Sequence, residues 1–164
     1  MTQAPAPTAD ALHIVEPTLA GPAGHCHSLV RALAAAADGC DVTIWADRDA
    51  AAWDGAGRLV PHFHRRWRRS QGLLLYRRLL RSPGRILVAT AGSADLVVAA
   101  WAAKRGAVAS HRMHFFVHWL GAKAGKADLL AKIARRQPNF EILAPTAAVA
   151  EFFAGCGFRA TQVP

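Results

Sequence analysis

The feature of the sequence that most constrains the fold is the alternation of short apolar runs with helical patterns along nearly the whole chain. The predicted strands are residues 12–16, 41–46, 59–63, 85–89, 112–118 and 141–144, and the predicted helices are residues 25–37, 72–81, 93–104, 123–136 and 146–154. The strands are apolar without interruption, which is typical of a parallel sheet covered on both faces. This alternation predicts a doubly wound α/β domain, whose ligands bind at the carboxyl ends of the strands.

Length and composition predict one domain. The chain has 164 residues, enough for a substantial core, and 52% of them are hydrophobic, which excludes an intrinsically disordered chain. Residues 1–11 lack the basic start and apolar stretch of a secretory signal, so we predict a flexible tail followed by the domain at residues 12–164. The segment FRATQVP at residues 158–164 has the pattern of a strand beginning, so we expect the chain to be part of a longer protein.

The cysteines and the neighbouring histidines give no metal site. His25, Cys26 and His27 have suitable side chains, but residues two apart do not share a helix face and no second pair of ligands follows nearby. The three cysteines form no C-x-x-C motif, which favours reduced thiols in the cytoplasm. We therefore predict no metal and a cytoplasmic location.

Strong positive charge is concentrated in one segment. Between Asp54 and Asp95 there is no acidic residue, whereas there are nine arginines. They are Arg58, Arg65, Arg66, Arg68, Arg69, Arg77, Arg78, Arg81 and Arg85, with Trp67 and several leucines between them. The pattern suits anionic lipid headgroups, and nucleic acid almost as well; a solvated face would also produce it. Because much of the net charge of +9 lies here, we favour an anionic partner.

A glycine-containing loop separates the first predicted strand from the first predicted helix. Gly21 and Gly24 let the backbone approach a ligand, and the helix start offers unpaired N–H groups to a phosphate. An ordinary turn between a strand and a helix also favours glycine and proline. The loop lacks the G-x-G-x-x-G and G-x-x-x-x-G-K-[ST] motifs, which argues against dinucleotide and P-loop sites.

Four segments, in this order, resemble the N-terminal Rossmann-like domain of retaining GT-B glycosyltransferases. They are LHIVEPTLAGPAGHCHSLVRALAAAADGCDVTIWA, SADLVVAAWAAKRGAV, HFFVHWLG and FEILAPTAAVAEFFAGCGFRATQVP, and together they span roughly residues 12 to 164. The chain departs from the family pattern at three points. Pro22 and Ala23 separate the two loop glycines, Trp119 follows His118 in place of glycine, and Thr146 replaces a common serine.

The resemblance implies that this chain is the acceptor-binding half of an enzyme. The full enzyme would transfer a sugar from a sugar nucleotide to a cell-envelope or lipid-linked acceptor, as in polysaccharide or lipopolysaccharide biosynthesis. The sugar nucleotide would be a substrate held by a second domain, and no cofactor would be needed. The enzyme would act in the cytoplasm, at the inner face of the cytoplasmic membrane. Nucleic acid is not expected as a partner in this scheme.

The resemblance also implies site residues. His118 is the candidate catalytic residue, because it ends a strand where α/β ligands bind. The loop glycines and Thr146 are candidate substrate contacts. Candidate contacts with the membrane or the acceptor are Arg65, Arg66, Trp67, Arg68 and Arg69. Two alternatives remain open: a basic α/β module that binds nucleic acid or anionic membranes without catalysis, and a small nucleotide-dependent enzyme complete in itself.

Overall fold

The computed structural model describes residues 11–22, 24–50, 53–103, 112–118 and 126–163. Within these ranges the chain forms seven strands, five α-helices and one 3-10 turn. In chain order they are β1 Ala11–Val15, α1 His25–Ala36, β2 Asp41–Asp47, β3 Arg58–Phe63, the 3-10 turn Arg65–Trp67, α2 Arg68–Leu79, β4 Arg85–Val88, α3 Ser93–Ala103, β5 Met113–Phe116, α4 Lys126–Arg136, β6 Phe140–Ala144, α5 Ala147–Gly155 and β7 Arg159–Gln162.

The strands form one sheet in the order β3-β2-β1-β4-β5-β6-β7, and every neighbouring pair is parallel. In the middle of the sheet Ile14 pairs with Ile44 on one side and with Leu87 on the other. The predicted doubly wound α/β sheet is therefore confirmed, and the domain is Rossmann-like. The strand order reverses direction between β1 and β4, which defines the topological switch point of this fold.

Helices cover both faces of the sheet, in unequal number. On one face Ile14 and Ile44 pack with Val30 and Ala34 of α1. On the other face the larger core combines strand residues such as Phe115 with residues of α2, α3, α4 and α5. Burying one such large apolar side chain contributes about 1.5–3 kcal/mol. The apolar runs of β2 and β4 correspond to this two-sided burial, whereas β5 and β6 alternate buried and partly exposed residues.

Several predicted boundaries are wrong by a few residues. Ala11 was assigned to the tail, but it is the first residue of β1, pairs with Asp41 and is 2% exposed. The strand predicted at residues 112–118 is shorter, Met113–Phe116, so His118 lies two residues beyond its end. The predicted strand start at residue 158 corresponds to β7, which pairs with β6.

The first turn of α2 was missed. The helix was predicted to start at Gly72, but it starts at Arg68. Arginine is a good helix former, and the Gln71 side chain joins this turn to the end of β3, through bonds with the His62 carbonyl at 3.0 Å and the His64 N–H at 2.7 Å. Gly72 instead lies buried inside the helix. The predicted ends of two other elements, residues 104 and 123, lie outside the described residues.

In the described part of the chain, no helix combines the length and the apolar character that a bilayer span requires.

Replacing Gly84 with alanine should destabilise the domain strongly. Gly84 has a φ of +126°, and an added Cβ would lie 2.8 Å from the Ala11 carbonyl oxygen. Because strain and a backbone clash add, we expect Gly84→Ala to lower the free energy of unfolding by about 1–3 kcal/mol in urea denaturation. The control is Gly155→Ala, where an added Cβ meets no atom within 4 Å. Equal stability of the two variants would contradict this account.

Candidate functional site

The candidate site is the switch-point crevice, which we define as the space at the carboxyl ends of β1 and β4. Ligands of open parallel α/β sheets bind at this position because the loops from the two strands diverge there. Residues 16–24 leave β1 toward α1, and residues 89–92 leave β4 toward α3. His118 reaches the same edge of the sheet from the end of β5.

A buried carboxylate ties the two loops together. Glu16 is 0% exposed. One of its oxygens accepts hydrogen bonds from the Thr18 backbone N–H at 3.0 Å and from the Thr18 hydroxyl. The other oxygen accepts a bond from the Thr90 hydroxyl. A buried carboxylate is costly unless it is hydrogen-bonded, and these three donors compensate it while joining the loop after β1 to the loop after β4.

The glycine loop leaves the start of α1 open. Gly24 is the N-cap residue of α1, has a φ of +102° and makes no side-chain cap bond. An added Cβ at Gly21 or at Gly24 would meet no described atom within 4 Å. The first N–H groups of a helix lack partners within the helix, so this end of α1 can receive an anionic group. The loop glycines thus lie beside the crevice, and their contact with a ligand stays a prediction.

His118 closes the crevice on the β5 side. Its ring lies edge-on to His25, the first residue of α1, with 4.8 Å between ring centroids. Burial, followed by the neighbouring His25, lowers the pKa of His118. A hydrogen bond with the Ala89 backbone and the charge of Glu16 act in the opposite direction, and the net shift of the pKa is downward. Its Nε2 is buried and has no hydrogen-bond partner among the described residues. The ring is therefore neutral at pH 7, and its buried Nε2 has an acceptor position that no described residue uses.

Thr146 lies farther along the same edge. It follows β6 and is the N-cap of α5, where its hydroxyl accepts a bond from the Val149 N–H at 3.4 Å. Helix capping by threonine accounts for this hydroxyl without any ligand. The predicted substrate contact of Thr146 stays a prediction.

The predicted basic contacts line a second cavity at this edge, which we call the arginine groove. Its volume is about 430 Å³, and it lies between the first turns of α2 and α3. Its lining residues are Arg65, Arg66, Arg68, Arg69, Ser70, Ala94 and Asp95. A gap of about 10 Å³ beside the groove is lined by Pro17, Arg68 and Asp95, so the loop after β1 borders this region. The arginine groove and the switch-point crevice are therefore neighbours.

The His-Cys-His run does not assemble a metal site. His25 contacts His118, whereas His27 packs against Trp53 and lies 3.9 Å from an Asp54 oxygen. Among the described residues no group of three or more histidine, cysteine, aspartate or glutamate side chains is arranged to hold a metal ion.

Sequence reasoning missed Glu16, Thr18 and Thr90, and it considered His25 only as a metal ligand. A signal for Glu16 was available, because a carboxylate at the end of a buried parallel strand is costly. Thr90 had no such signal. Its contact with Glu16 joins residues 74 positions apart, and it depends on β4 lying next to β1.

Comparison with models of known protein families, with curated proteins and with solved structures finds no match to this chain. The class of protein is therefore defined by fold and site alone. It is a Rossmann-like α/β domain with hydrogen-bonded polar residues at its switch point and an arginine groove at the same edge of the sheet.

Removing the Thr90 hydroxyl should destabilise the domain, because one oxygen of the buried Glu16 would lose its donor. We expect Thr90→Val to lower the free energy of unfolding by about 1–3 kcal/mol in urea denaturation. Thr161→Val is the matched control, since Thr161 is exposed on β7, and should change stability by less than about 0.5 kcal/mol. If Thr90→Val is as stable as its control, Glu16 does not join the two loops as described.

Proposed function

We propose that this chain is the acceptor-side domain of a glycosyltransferase that uses a sugar nucleotide. One observation carries the proposal. The glycine loop with the start of α1, and the strand that leads to His118, belong to two of the segments that resemble this enzyme family. These two segments meet at the crevice, where the rings of His25 and His118 are 4.8 Å apart. Support also comes from the parallel sheet, whose switch point is a ligand position in this fold class.

In this proposal His118 orients the reacting hydroxyl of the acceptor. The Nε2 of the neutral imidazole has no described partner, and a small movement that uncovers this buried atom would let it accept the hydroxyl's hydrogen bond. A contact made mainly in the transition state contributes about 2–4 kcal/mol. The open N-terminus of α1 faces the phosphates of a donor held by the second domain.

The decisive test measures sugar transfer by a polypeptide that joins this domain to a donor-binding domain. We expect His118→Ala to lower turnover about a hundredfold and to leave the melting temperature nearly unchanged. His114→Ala is the control, because His114 is a half-buried histidine of β5 that pairs with Glu141 at 3.3 Å, away from the crevice. Full turnover in His118→Ala, or early unfolding, would remove His118 from the reaction.

The isolated chain gives a complementary measurement, because the proposal assigns the donor to another domain. Calorimetric titration with UDP-, GDP- and CMP-sugars should show weak binding or none. Micromolar affinity for any of them would mean that this domain holds a complete donor site, contrary to the proposal.

A second candidate function is binding to an anionic membrane, either alongside catalysis or as the only activity of a basic α/β module. It is favoured by the exposed side chains of Trp67 and Leu74, which are 57% and 63% accessible. Leu74 lies in α2, and Trp67 immediately precedes this helix, seven positions earlier, with arginines around both. Arginine beside exposed tryptophan and leucine is the composition of a helix that lies on lipid headgroups.

Anionic vesicles should bind the chain through this surface. Each basic residue near a charged bilayer contributes up to about 1 kcal/mol, so replacing Arg65, Arg66, Arg68 and Arg69 together with glutamine should remove most vesicle sedimentation at low salt. The control removes the same charge at exposed positions elsewhere: Arg58, Arg81, Arg135 and Arg136. If the variant with Arg65, Arg66, Arg68 and Arg69 replaced binds vesicles as well as the original chain, this surface is only a solvent-exposed charged face. Salt-dependent binding to duplex nucleic acid instead of vesicles would favour the nucleic-acid form of the module.

A further inference from the structure

The arginine groove carries positive charge that its own residues do not neutralise. Its one carboxylate, Asp95, is already engaged by Arg68 at 3.6 Å and by the Gly92 N–H at 2.8 Å. Arg65, Arg66 and Arg69 make no ion pair with any described residue. Three guanidinium groups at the groove are thus left without an anionic partner.

The 3-10 turn Arg65–Trp67 and α2, which together supply these arginines, begin with unfavourable charges. The His64 side chain caps the 3-10 turn by accepting a bond from the Arg66 N–H at 3.2 Å, but the first turn of α2 contains no acidic residue. Arg68 and Arg69 instead place positive charge at the positive end of the helix dipole, which is unfavourable. Local rules of this kind are most often broken at functional sites, and a bound anion would relieve the charge repulsion.

We propose that the arginine groove binds a phosphate group, and that its volume of about 430 Å³ gives room for a diphosphate. The planar fork of arginine donates two parallel hydrogen bonds to phosphate oxygens, which a flexible lysine does not do. Ala94 and Asp95 of α3 form the opposite wall. This wall makes the groove a discrete site rather than an open charged surface.

The position of the groove gives the phosphate a role. Pro17 of the loop after β1 borders a small gap that Arg68 and Asp95 of the groove also line, so a molecule whose phosphate is bound in the groove can extend over the surface of this edge toward the crevice. The ligand is then a phosphorylated acceptor. That identification of the ligand rests on the proposed function. Phosphate binding by the groove does not depend on the proposed function, since this binding can be measured without any sugar transfer.

The test is calorimetric titration of the chain with inorganic pyrophosphate, and with inorganic phosphate, at low salt. We expect pyrophosphate to bind, and Arg65→Gln with Arg69→Gln to weaken binding by about tenfold for each arginine lost. The matched control is Arg81→Gln with Arg136→Gln, which removes the same charge at exposed positions outside the groove. It should bind like the original chain. Melting temperatures establish that both variants are folded.

Two results would overturn the proposal. One is the absence of binding of either anion by the original chain at millimolar concentration. The other is equal weakening in both double variants, because a diffuse positive field responds to charge wherever it is removed. Either result would leave the effect of His118→Ala on sugar transfer unaffected, so the failure of the groove and the failure of the glycosyltransferase assignment can be told apart.

A competition experiment identifies the source of the phosphate. Vesicles with phosphatidic acid present a phosphate monoester on a membrane, and pyrophosphate presents the same chemistry in solution. If pyrophosphate releases the chain from these vesicles, and the Arg65 and Arg69 double variant does not bind them, the groove takes a lipid phosphate. If pyrophosphate binds in the groove without affecting vesicle sedimentation, the phosphate belongs to a soluble molecule.

Discussion

The rest of the structure depends on the position of β1 between β2 and β4. Parallel pairing on both sides places this strand in the sheet centre, and chain connections on its two sides then run in opposite directions. The loops that follow β1 and β4 therefore diverge and leave a crevice between them. Glu16 fixes the relative position of these two loops. If the loops moved apart, its buried carboxylate would lose hydrogen-bond donors, which is costly in free energy.

The polar features of the domain gather at one edge of the sheet for the same reason. In a parallel sheet all carboxyl ends lie on the same side, and every following helix begins there with unpaired N–H groups. Four of these polar features each follow a different strand: Gly24 follows β1, the first turn of α2 follows β3, His118 follows β5 and Thr146 follows β6. This common edge brings the glycine loop, the imidazole of His118 and the arginines into neighbouring positions, although they are far apart in the sequence.

The stability of this edge is uneven, and the unevenness coincides with the candidate sites. The central strands are held by apolar packing on both faces. By contrast, α1 starts at an uncapped glycine, and α2 starts with arginines that oppose its dipole. The domain tolerates these two unfavourable helix starts, because each lowers the free energy of unfolding by only a fraction of what the buried apolar side chains add to it. An anionic ligand at either helix start would act on a locally unfavourable arrangement.

By itself the sequence determined the type and order of the elements, since these depend on local periodicity and on burial that continuous apolar runs record. The α/β class, the glycine loop, the strand before His118 and the concentration of arginines at residues 58–85 were all predictable in this way. Only the tertiary structure decided which of these features are neighbours. The Glu16–Thr90 bond, the contact of His25 with His118 and the groove between α2 and α3 depend on strand order. Strand order is set by the packing of the whole sheet, so no single segment of the sequence contains it.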